Sequence, residues 1–240
     1  MRSLRAVRIG LLLILSLFVF TSASVAYAGD DGEELIDVSK TVASLEKKMG
    51  ELREHGRWAR EGELSLSAFC GADEGTPIFS AWGDSANYVF APNGNFESMS
   101  GWTLNKHASL TVQNSPFSTG GSSLFLGEKG VAVSPAMCVS TSHPTFRFFA
   151  LNGASAESKL EVEILYEGVD GKVKKLKVAR LNGGDSWAPT VTIPLHVNML
   201  AAASEDGFTA VAFKFKTHGA KTKDGGWLID DVLVDPFASR

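Results

Sequence analysis

The feature that most constrains the fold is a series of short runs, from Gly101 onward, in which apolar and polar residues alternate. The clearest runs are Thr145–Leu151, Lys159–Tyr166, Lys172–Val178 and Phe208–Lys216, and turn residues divide them. Alternation with a period of two is typical of β-strands, and no helical period separates one run from the next. Roughly nine such runs in about 150 residues predict an all-β protein built as an antiparallel β-sandwich.

Two of these runs predict a hairpin with one charged face. Glu161 and Glu163 alternate with apolar residues in the first run, and Lys175 and Lys177 do so in the second, after a Gly-rich turn. Opposed Glu and Lys side chains stabilise neighbouring strands by a modest amount. The pattern therefore indicates antiparallel strands with one face in the core and the other in water.

The N-terminus has the composition of an export signal. Three arginines precede the apolar run Ile9–Phe20, and Ala26-Tyr27-Ala28 provides a small-x-small cleavage pattern. We therefore predict a signal peptide over residues 1–28 and a secreted, extracellular mature chain. The alternative is an uncleaved anchor, because residues 9–28 are close in length to the ~20 residues that a membrane span needs. Only in that case would the protein contact a membrane.

Cys70 and Cys138 are the only two cysteines of the chain. In an exported protein an even number of cysteines favours a disulfide, and two buried thiols are the alternative. Closing a loop of this length would stabilise the fold by roughly 4 kcal/mol on the chain-entropy account. The few histidines near them do not form a zinc-ligand pattern.

Residues 29–65 are predicted to form a helical segment and a linker ahead of a β-sandwich domain over residues 66–240. In Glu33–His55 the apolar residues recur at spacings of three and four, which is the pattern of an amphipathic helix. One interpretation is a self-association helix or stalk. The other is a single helix packed on the domain, which Gly50 and the short length favour.

Two stretches at opposite ends of the β-domain carry a family resemblance. The first, Asn93–Trp102, reads NGNFESMSGW, and the second, Gly225–Pro236, reads GGWLIDDVLVDP. Together they resemble galactose-binding-like jelly rolls, and most closely the carbohydrate-binding modules of cellulases and xylanases. Such modules often begin with Asn-Gly-x-Phe-Glu and a following Gly-Trp, and end in a strand with an Asp-Asp core. The resemblance covers residues 93–236 and implies that the first and last strands lie side by side.

The resemblance also implies a structural Ca²⁺ ion near the junction of the two stretches. Glu97 would be one carboxylate ligand and either Asp230 or Asp231 another, because neighbouring residues of a strand point to opposite faces. Calcium binds six to eight oxygens and mixes carboxylates with backbone carbonyls. We expect Asp231 to be the ligand. The alternative is that these are surface carboxylates hydrogen-bonded to loops.

By the same resemblance, the function would be glycan or polysaccharide binding by a non-catalytic module. A site for sugar needs exposed aromatic rings and a few placed polar groups. The candidates are Trp82, Tyr88, Trp187 and Trp227. Each of them would otherwise pack in the core or at a strand edge, whereas Phe96 and Trp102 are predicted to be core residues. The alternative function is a structural or adhesion-type surface protein without a small ligand, which faces that are all charged or sealed would favour.

Composition and motifs argue against two further classes. A net charge of −4 gives no case for nucleic acid, whose binding proteins carry a clustered basic surface. An enzyme needs a converging acid, base or nucleophile, and the sequence has no nucleophile elbow, no His-Glu-x-x-His and no phosphate-binding loop. Asp230 and Asp231 are adjacent, whereas paired glycosidase carboxylates normally come from different elements about 5–10 Å apart. We therefore expect neither catalysis nor a nucleic-acid partner.

Overall fold

The computed structural model describes residues 34–35, 43, 47, 63–70, 75–117, 120–168, 171–219 and 225–235. These residues form two antiparallel sheets packed face to face, so the predicted all-β sandwich is confirmed. The signal peptide expected at residues 1–28 lies outside the described part of the chain and stays a prediction. Within that part, no helix combines the length and the apolar character needed to cross a membrane.

The first sheet contains the charged hairpin predicted from the sequence. Among the described residues its strands are β1 (Glu34–Leu35), β3 (Thr103–Leu104), β6 (Val131–Val133), β7 (Met137–Val139), β9 (Lys159–Glu167), β10 (Val173–Leu181) and β13 (Thr209–His218). They run in the order β1-β10-β9-β13-β6-β3, and β7 also pairs with β13. The long strands β9, β10 and β13 lie side by side, so their outer side chains form one continuous face.

The second sheet contains the first and last strands of the β-domain. Its described strands are β2 (Val89–Phe90), β4 (Ala108–Thr111), β5 (Ser123–Leu126), β8 (Thr145–Asn152), β11 (Ala188–Pro189), β12 (Ile193–Pro194) and β14 (Trp227–Val234). Their order is β11-β8-β14-β5-β4, with β12 paired to β8 and β2 to β14. Between Trp187 and Leu195 the chain forms two short strands and not one long strand, because each of them ends in a proline, which lacks an N–H donor. A 3₁₀ helix, Val197–Ala203, follows them.

The core lies between the sheets and follows from alternation in the longest strands. Phe146 and Phe148 of β8 face Phe213 and Phe215 of β13, and all four are fully buried. Ring centroids are 4.7 Å apart for Phe146–Phe213 and 5.1 Å apart for Phe148–Phe215. Large aromatic side chains contribute most of the apolar area in such a core, so these pairs join the two layers.

The two motif stretches at the ends of the β-domain meet, as the resemblance implies. The N–H of Ala91 donates to the Val232 carbonyl and the N–H of Val232 donates to the Gly94 carbonyl, each over 2.9 Å. This approach requires glycine at position 94, because a Cβ atom there would lie 2.7 Å from the Val232 carbonyl oxygen. Phe96 and Trp102 are core residues with ring centroids 4.9 Å apart, which confirms their predicted role.

Strand β14 does not alternate regularly through its two aspartates. Its register with β8 shifts between Asp230 and Leu233, and Asp231 has a φ of 49°. A positive φ at a residue other than glycine, together with a register shift, marks a bulge. The expectation for Asp230 and Asp231 assumed a regular strand, and that assumption is wrong here; both residues are buried.

The segment ahead of residue 63 is described at only a few positions. Glu34–Leu35 pair with Arg180 and Ala179 of β10, so the helix predicted over Glu33–His55 is wrong at its start. A strand there gains backbone hydrogen bonds at the open edge of β10, which a short isolated helix lacks. Ala43 and Lys47 are helical. The rest of this segment, on which the proposed self-association depends, lies outside the described residues.

Residues Glu63–Ser67, which we name the strap, bind to the first sheet ahead of the first strand of the second sheet. Residues Glu63–Ser67 form a helical turn, and two of its N–H groups donate to Glu167 Oε1 over 2.7 and 3.2 Å. The disulfide predicted between Cys70 and Cys138 is present. The last residues of the expected linker are therefore bound to the sandwich.

Candidate functional site

The outer face of the second sheet is apolar and aromatic. On β8, Arg147, Phe149 and Leu151 point away from the core, because the alternate residues Phe146 and Phe148 point into it. Neighbouring strands add apolar side chains to the same face, namely Phe125 of β5 and Leu228 and Leu233 of β14. A sheet face of this composition must be covered or must bind something apolar.

One half of this face is sealed by residues 75–90, which we name the cover segment. Its Phe79 and Tyr88 form a buried cluster with Phe149 and Leu233 of the sheet. Ring centroids are 4.8 Å apart for Phe79–Tyr88 and 5.2 Å apart for Phe79–Phe149. The end of the cover segment forms β2, which pairs with β14. This half of the sheet is therefore part of the interior.

Arg147 holds the cover segment on the sheet. Its guanidinium donates to the Thr190 carbonyl through Nε over 2.9 Å and Nη2 over 2.7 Å, and to Asp84 through Nη1 over 2.9 Å. The same guanidinium lies 4.4 Å from the ring centroid of Phe79. A buried charge is tolerated when it is paired and hydrogen-bonded. Arg147 meets both conditions only while the cover segment is in place.

The acidic partner of this contact is held ionised. Burial raises the pKa of Asp84, but hydrogen bonds from Tyr88, from the N–H of Ala86 and from Arg147 outweigh it and hold the pKa below its usual value. Burial, followed by the contact with Asp84, raises the pKa of Tyr88 well above its usual value. At neutral pH the phenol therefore donates to a carboxylate, over 2.8 Å.

The other half of the face is an open groove of about 560 Å³. This volume lies in the range of small-ligand sites. Its surface combines apolar side chains with the amides of Gln113 and Asn114, and the Asn114 amide donates to the Gly120 carbonyl over 2.5 Å. The lining residues are Gln113, Asn114, Phe125, Leu151, Gly153, Trp187, Gly225, Gly226 and Leu228. We name this site the sheet groove.

A second cavity of about 370 Å³ continues the sheet groove, because Phe125 and Gly225 line both. Unlike the first cavity, it is lined by residues with ionisable side chains. Its other lining residues are Lys106, His107, Ala108, Ser109, Gly127 and Glu128. The two cavities give the site an apolar part and a charged end.

Local sequence explains how the sheet groove is shaped. Phe125 turns outward because its neighbours Leu124 and Leu126 are core residues. Gly226 leaves room for that ring, since a Cβ atom there would lie 2.5 Å from it. The carboxylate of Asp230 accepts a hydrogen bond from the N–H of Ser115 over 3.0 Å. Asp230 thereby fixes the loop that carries the two amides of the groove.

An exposed aromatic pair lies at the border between the cover segment and the open half. Trp82 and Phe117 pack edge to face with centroids 4.8 Å apart. Both rings also contact Phe149, at 5.5 and 5.2 Å. Trp82 is 40% exposed and Phe117 is 44% exposed, so this pair offers ring surface to a ligand.

The structure separates the four aromatic residues predicted to stack on a ligand. Trp187 lines the sheet groove and is half-buried, and Trp82 is exposed at its border. Tyr88 and Trp227 are buried, so the expectation that they present rings to a ligand is wrong. The hydroxyl of Tyr88 donates to Asp84, which is also the partner of Arg147. The indole N–H of Trp227 donates to the Ser158 hydroxyl over 2.9 Å. Ligand binding by Trp187 and Trp82 stays a prediction.

Two of the three carboxylates expected to bind calcium, those of Glu97 and Asp230, accept hydrogen bonds from backbone N–H groups. Glu97 Oε1 accepts the N–H groups of Gly121 and Ser122 over 2.7 and 3.0 Å, and Asp230 serves the loop at Ser115. Across the described residues, no group of three or more His, Cys, Asp and Glu side chains is placed to hold a metal ion. A calcium ion here would therefore depend on backbone carbonyls in addition to Glu97 and Asp231. Both carboxylates fit such a site chemically, because each has two oxygens that accept several contacts.

Several groove residues were not singled out by sequence reasoning. Phe125, Leu151 and Leu228 all alternate with core residues, so their outward direction is readable from the strand pattern. The pattern does not tell which outward residues are covered by a distant segment. Gln113 gives no signal at all, because an amide in a polar loop is ordinary.

No protein-family model matches the chain, and no curated protein matches it. In structure the chain resembles carbohydrate-binding modules. One is the CBM22-1 xylan-binding domain of Paenibacillus barcinonensis Xyn10C, at 12% identity and a TM-score of 0.42, covering 65% of this chain and 97% of that one. Another is TmCBM61, solved with β-1,4-galactotriose, at 16% identity and a TM-score of 0.35, covering 62% and 99%.

A third similar structure is the enzymatically active domain of tailspike protein 4 from bacteriophage CBA120, at 16% identity and a TM-score of 0.41, covering 61% of this chain. The chain spans 21% of that tailspike chain and 48% of the tandem CBM22-1–CBM22-2 chain from Xyn10C. The modules have the galactose-binding-like jelly-roll fold that the sequence motifs resemble. Likeness at these TM-scores carries no argument about function.

Proposed function

We propose that the protein is a secreted, non-catalytic module that binds glycan in the sheet groove. The observation that carries the proposal is the groove itself, in which Phe125, Trp187 and apolar side chains lie beside two amides. Sugar rings have apolar faces that pack on aromatic side chains, and their hydroxyl groups pair with amides. An apolar surface with few polar contacts therefore suits an uncharged oligosaccharide.

The charged end of the site suits binding better than catalysis. Lys106, His107 and Glu128 are exposed. Catalytic acids and bases are usually desolvated and converge on one reacting atom. Exposed groups at the mouth of a groove are better placed to bond to hydroxyl groups of a longer chain.

A second candidate function is a structural or adhesion-type surface protein without a small ligand. The observation that favours it is the cover segment, which removes half of the second sheet from solvent. The two candidates differ in one respect that can be measured. Only a glycan-binding module needs the open half of the sheet to bind a ligand, whereas the Trp187 ring also packs against the covered cluster.

A glycan array tests the proposal. We expect the mature protein to bind at least one polysaccharide or oligosaccharide, and Trp187→Ala to weaken that binding by about tenfold or more, as truncation of a central aromatic contact does. The matched control is Phe208→Ala, which removes an aromatic ring that is 44% exposed and does not line the groove. A folded protein that binds no glycan, or a Trp187→Ala variant that binds like the wild type, would contradict the proposal.

We also propose a structural calcium ion at the junction of the two motif stretches, with Glu97 and Asp231 as its carboxylate ligands. The proposal is supported by the direct contact of these stretches and by the burial of Asp231. An ion that binds only the folded chain stabilises it, so removal by a chelator should lower the melting temperature by roughly 5–10 °C at saturating calcium. Calcium should restore the loss, and Glu97→Gln should abolish the response. An unchanged melting temperature would count against the site.

A further inference from the structure

The outer face of the first sheet carries rows of cations on both sides of a row of carboxylates. Strand β9 runs between β10 and β13, and its outward Glu161 and Glu163 each lie directly opposite a cation on both neighbours. Lys177 and Lys214 stand opposite Glu163, and Arg180 and Lys216 stand opposite Glu161. We name the surface formed by these strands the cationic face.

The carboxylates of this face are covered, whereas the cations reach solvent. Glu163 pairs with Lys214 over 2.7 Å and lies 3.9 Å from Lys175, and Glu161 pairs with Lys177. The side chains of Glu161 and Glu163 are 8% and 7% exposed, but those of Lys175 and Lys177 are 68% and 45% exposed. Burial raises the pKa of Glu161, but Lys177, His218 and Lys216 together outweigh it and hold the pKa below its usual value. Glu161 therefore stays ionised beneath the exposed lysine side chains.

The face has more positive than negative charge. Lys175, Lys177, Arg180, Lys214 and Lys216 are five cations beside the two carboxylates Glu161 and Glu163, which leaves an excess of three positive charges. A third carboxylate, Glu167, lies at the end of β9 and binds the strap at residues 64–65. Glu34 of β1 is a fourth, because it stands opposite Arg180, and Lys159 of β9, opposite His218, is a sixth cation. Six cations and four carboxylates leave an excess of two. The whole chain has a net charge of −4, so this face is opposite in sign to the protein.

We infer that the cationic face binds an anionic polysaccharide, one whose sugars carry uronate or sulfate groups. Successive outward residues of a strand are about 6.6–6.8 Å apart. Lys175 and Lys177 of β10 have this spacing, as do Lys214 and Lys216 of β13, and Arg180 lies beyond the register shift of β10. The ammonium groups of Lys175 and Lys177 reach solvent at the end of flexible side chains. The lysines can therefore share their contacts between Glu161 or Glu163 and the anionic groups of a polymer.

The composition of the face favours a polysaccharide over two other polyanions. Within the described parts of β9, β10 and β13, the outward residues include no Phe, Tyr or Trp. Single-stranded nucleic acid is usually bound through aromatic stacking as well as charge. A membrane surface is usually bound by many large apolar side chains beside the cations, whereas on the described outward face of these strands only Leu165 and Val173 are apolar and larger than alanine. A hydrated acidic polysaccharide needs neither, and the inference does not depend on the sheet groove.

Polygalacturonate, a uronate polymer, tests the inference in an affinity gel at low and high salt. The test variant is Lys175→Gln/Arg180→Gln/Lys216→Gln, which leaves the Lys214–Glu163 and Lys177–Glu161 pairs intact. We expect the wild type to bind at low salt and to be released at high salt, because salt screens exposed charges. We expect the triple variant to bind at least about tenfold more weakly, since each exposed cation contributes to such contacts.

Two control variants show whether the polymer binds at the cationic face. Lys47→Gln/Lys129→Gln removes two positive charges from exposed lysines that line neither the cationic face nor the sheet groove, and should bind polygalacturonate like the wild type. Trp187→Ala should also bind it like the wild type, whether or not the sheet groove binds glycan. The inference is overturned if the wild type shows no salt-sensitive binding, or if either control loses as much binding as the test variant. Equal or tighter binding to phosphatidylglycerol vesicles or single-stranded DNA also overturns it.

Discussion

The outer faces of the two sheets are shielded from water in different ways. On the first sheet, lysine side chains cover Glu161 and Glu163. At these positions no other segment of the chain is needed to shield the sheet from water. On the second sheet, Phe149 and Leu233 are buried by the cover segment, which Arg147 fastens in place. A charged face remains soluble without cover, whereas an aromatic face needs either a cover or a ligand. The sheet groove is the part of the aromatic face that the cover segment leaves open.

This difference is already present in the strand sequences. β9 and β13 alternate apolar with charged residues, which predicts one dry and one wet face. In β8 and β14, apolar residues fall on both faces, as in Phe148 with Phe149. Strands that are apolar on both faces are expected to be covered on both sides. The pattern thus identifies the sheet that carries the cover segment and the groove.

Substitution of Arg147, which holds the cover segment on the second sheet, should lower the free energy of unfolding more than any other change considered. Arg147→Ala deletes the hydrogen bonds to Thr190 and Asp84 and leaves a partly buried carboxylate without its cation. Breaking a buried pair from one side typically costs about 3–5 kcal/mol. We expect a loss of that size in denaturant unfolding, and faster amide exchange at Tyr88 if the cover segment opens.

The control for this experiment is Arg147→Lys. It keeps the charge near Asp84 but lacks the planar fork that reaches Thr190. We expect its stability to fall between those of the wild type and Arg147→Ala. If Arg147→Ala unfolds at the same denaturant concentration as the wild type, the cover segment is not held in the way described.

Acid should weaken the same contact. The folded pKa of Asp84 lies below its unfolded value, so its stabilising contribution is complete above about pH 4 and is lost as the pH falls through the folded pKa. Asp84→Asn has no such proton to bind. The difference in melting temperature between the wild type and Asp84→Asn should therefore shrink as the pH is lowered from neutral. A difference that stays constant or grows in acid would contradict the assignment.

The smallest loss of stability is expected for a substitution on the first sheet, Lys214→Ala. Lys214→Ala removes the 2.7 Å pair with Glu163, but Lys175 lies within 3.9 Å and remains as a partner. Because Glu163 keeps Lys175 as a cationic partner, the loss of stability should be near the ~1 kcal/mol of a surface pair and not the cost of a buried charge left unpaired. We expect urea unfolding to show a loss no larger than this. A loss equal to that of Arg147→Ala would mean that the two faces do not differ as proposed.

The sequence predicted the sandwich, the hairpin, the disulfide and the contact between the first and last stretches. These features follow from strand alternation, from an even cysteine count and from the family resemblance. The sequence did not distinguish Trp227 from Trp187 as ligand residues, because both are tryptophans beside strand and turn residues. Trp227 is buried because it alternates with Ile229 toward the core, a fact that depends on the register of β14.

Other features depended on contacts between distant parts of the chain. The cover segment contains few regular elements, so nothing in residues 75–90 shows which sheet it lies on. The pairing of Glu34–Leu35 with β10 overrides a helical pattern through backbone bonds to a strand nearly 150 residues away. The bulge at Asp231 likewise has no local sign such as glycine.

Glycan binding in the sheet groove is tested most directly by an NMR titration of the mature protein with an uncharged oligosaccharide selected on the array. The amide and indole chemical shifts are followed as the oligosaccharide is added. We predict chemical-shift changes at Phe125, Gly153 and the Trp187 indole, and none at Glu161 or Glu163 on the first sheet. Shifts confined to the first sheet, or saturable binding that leaves Phe125 and Trp187 unchanged, would contradict this prediction.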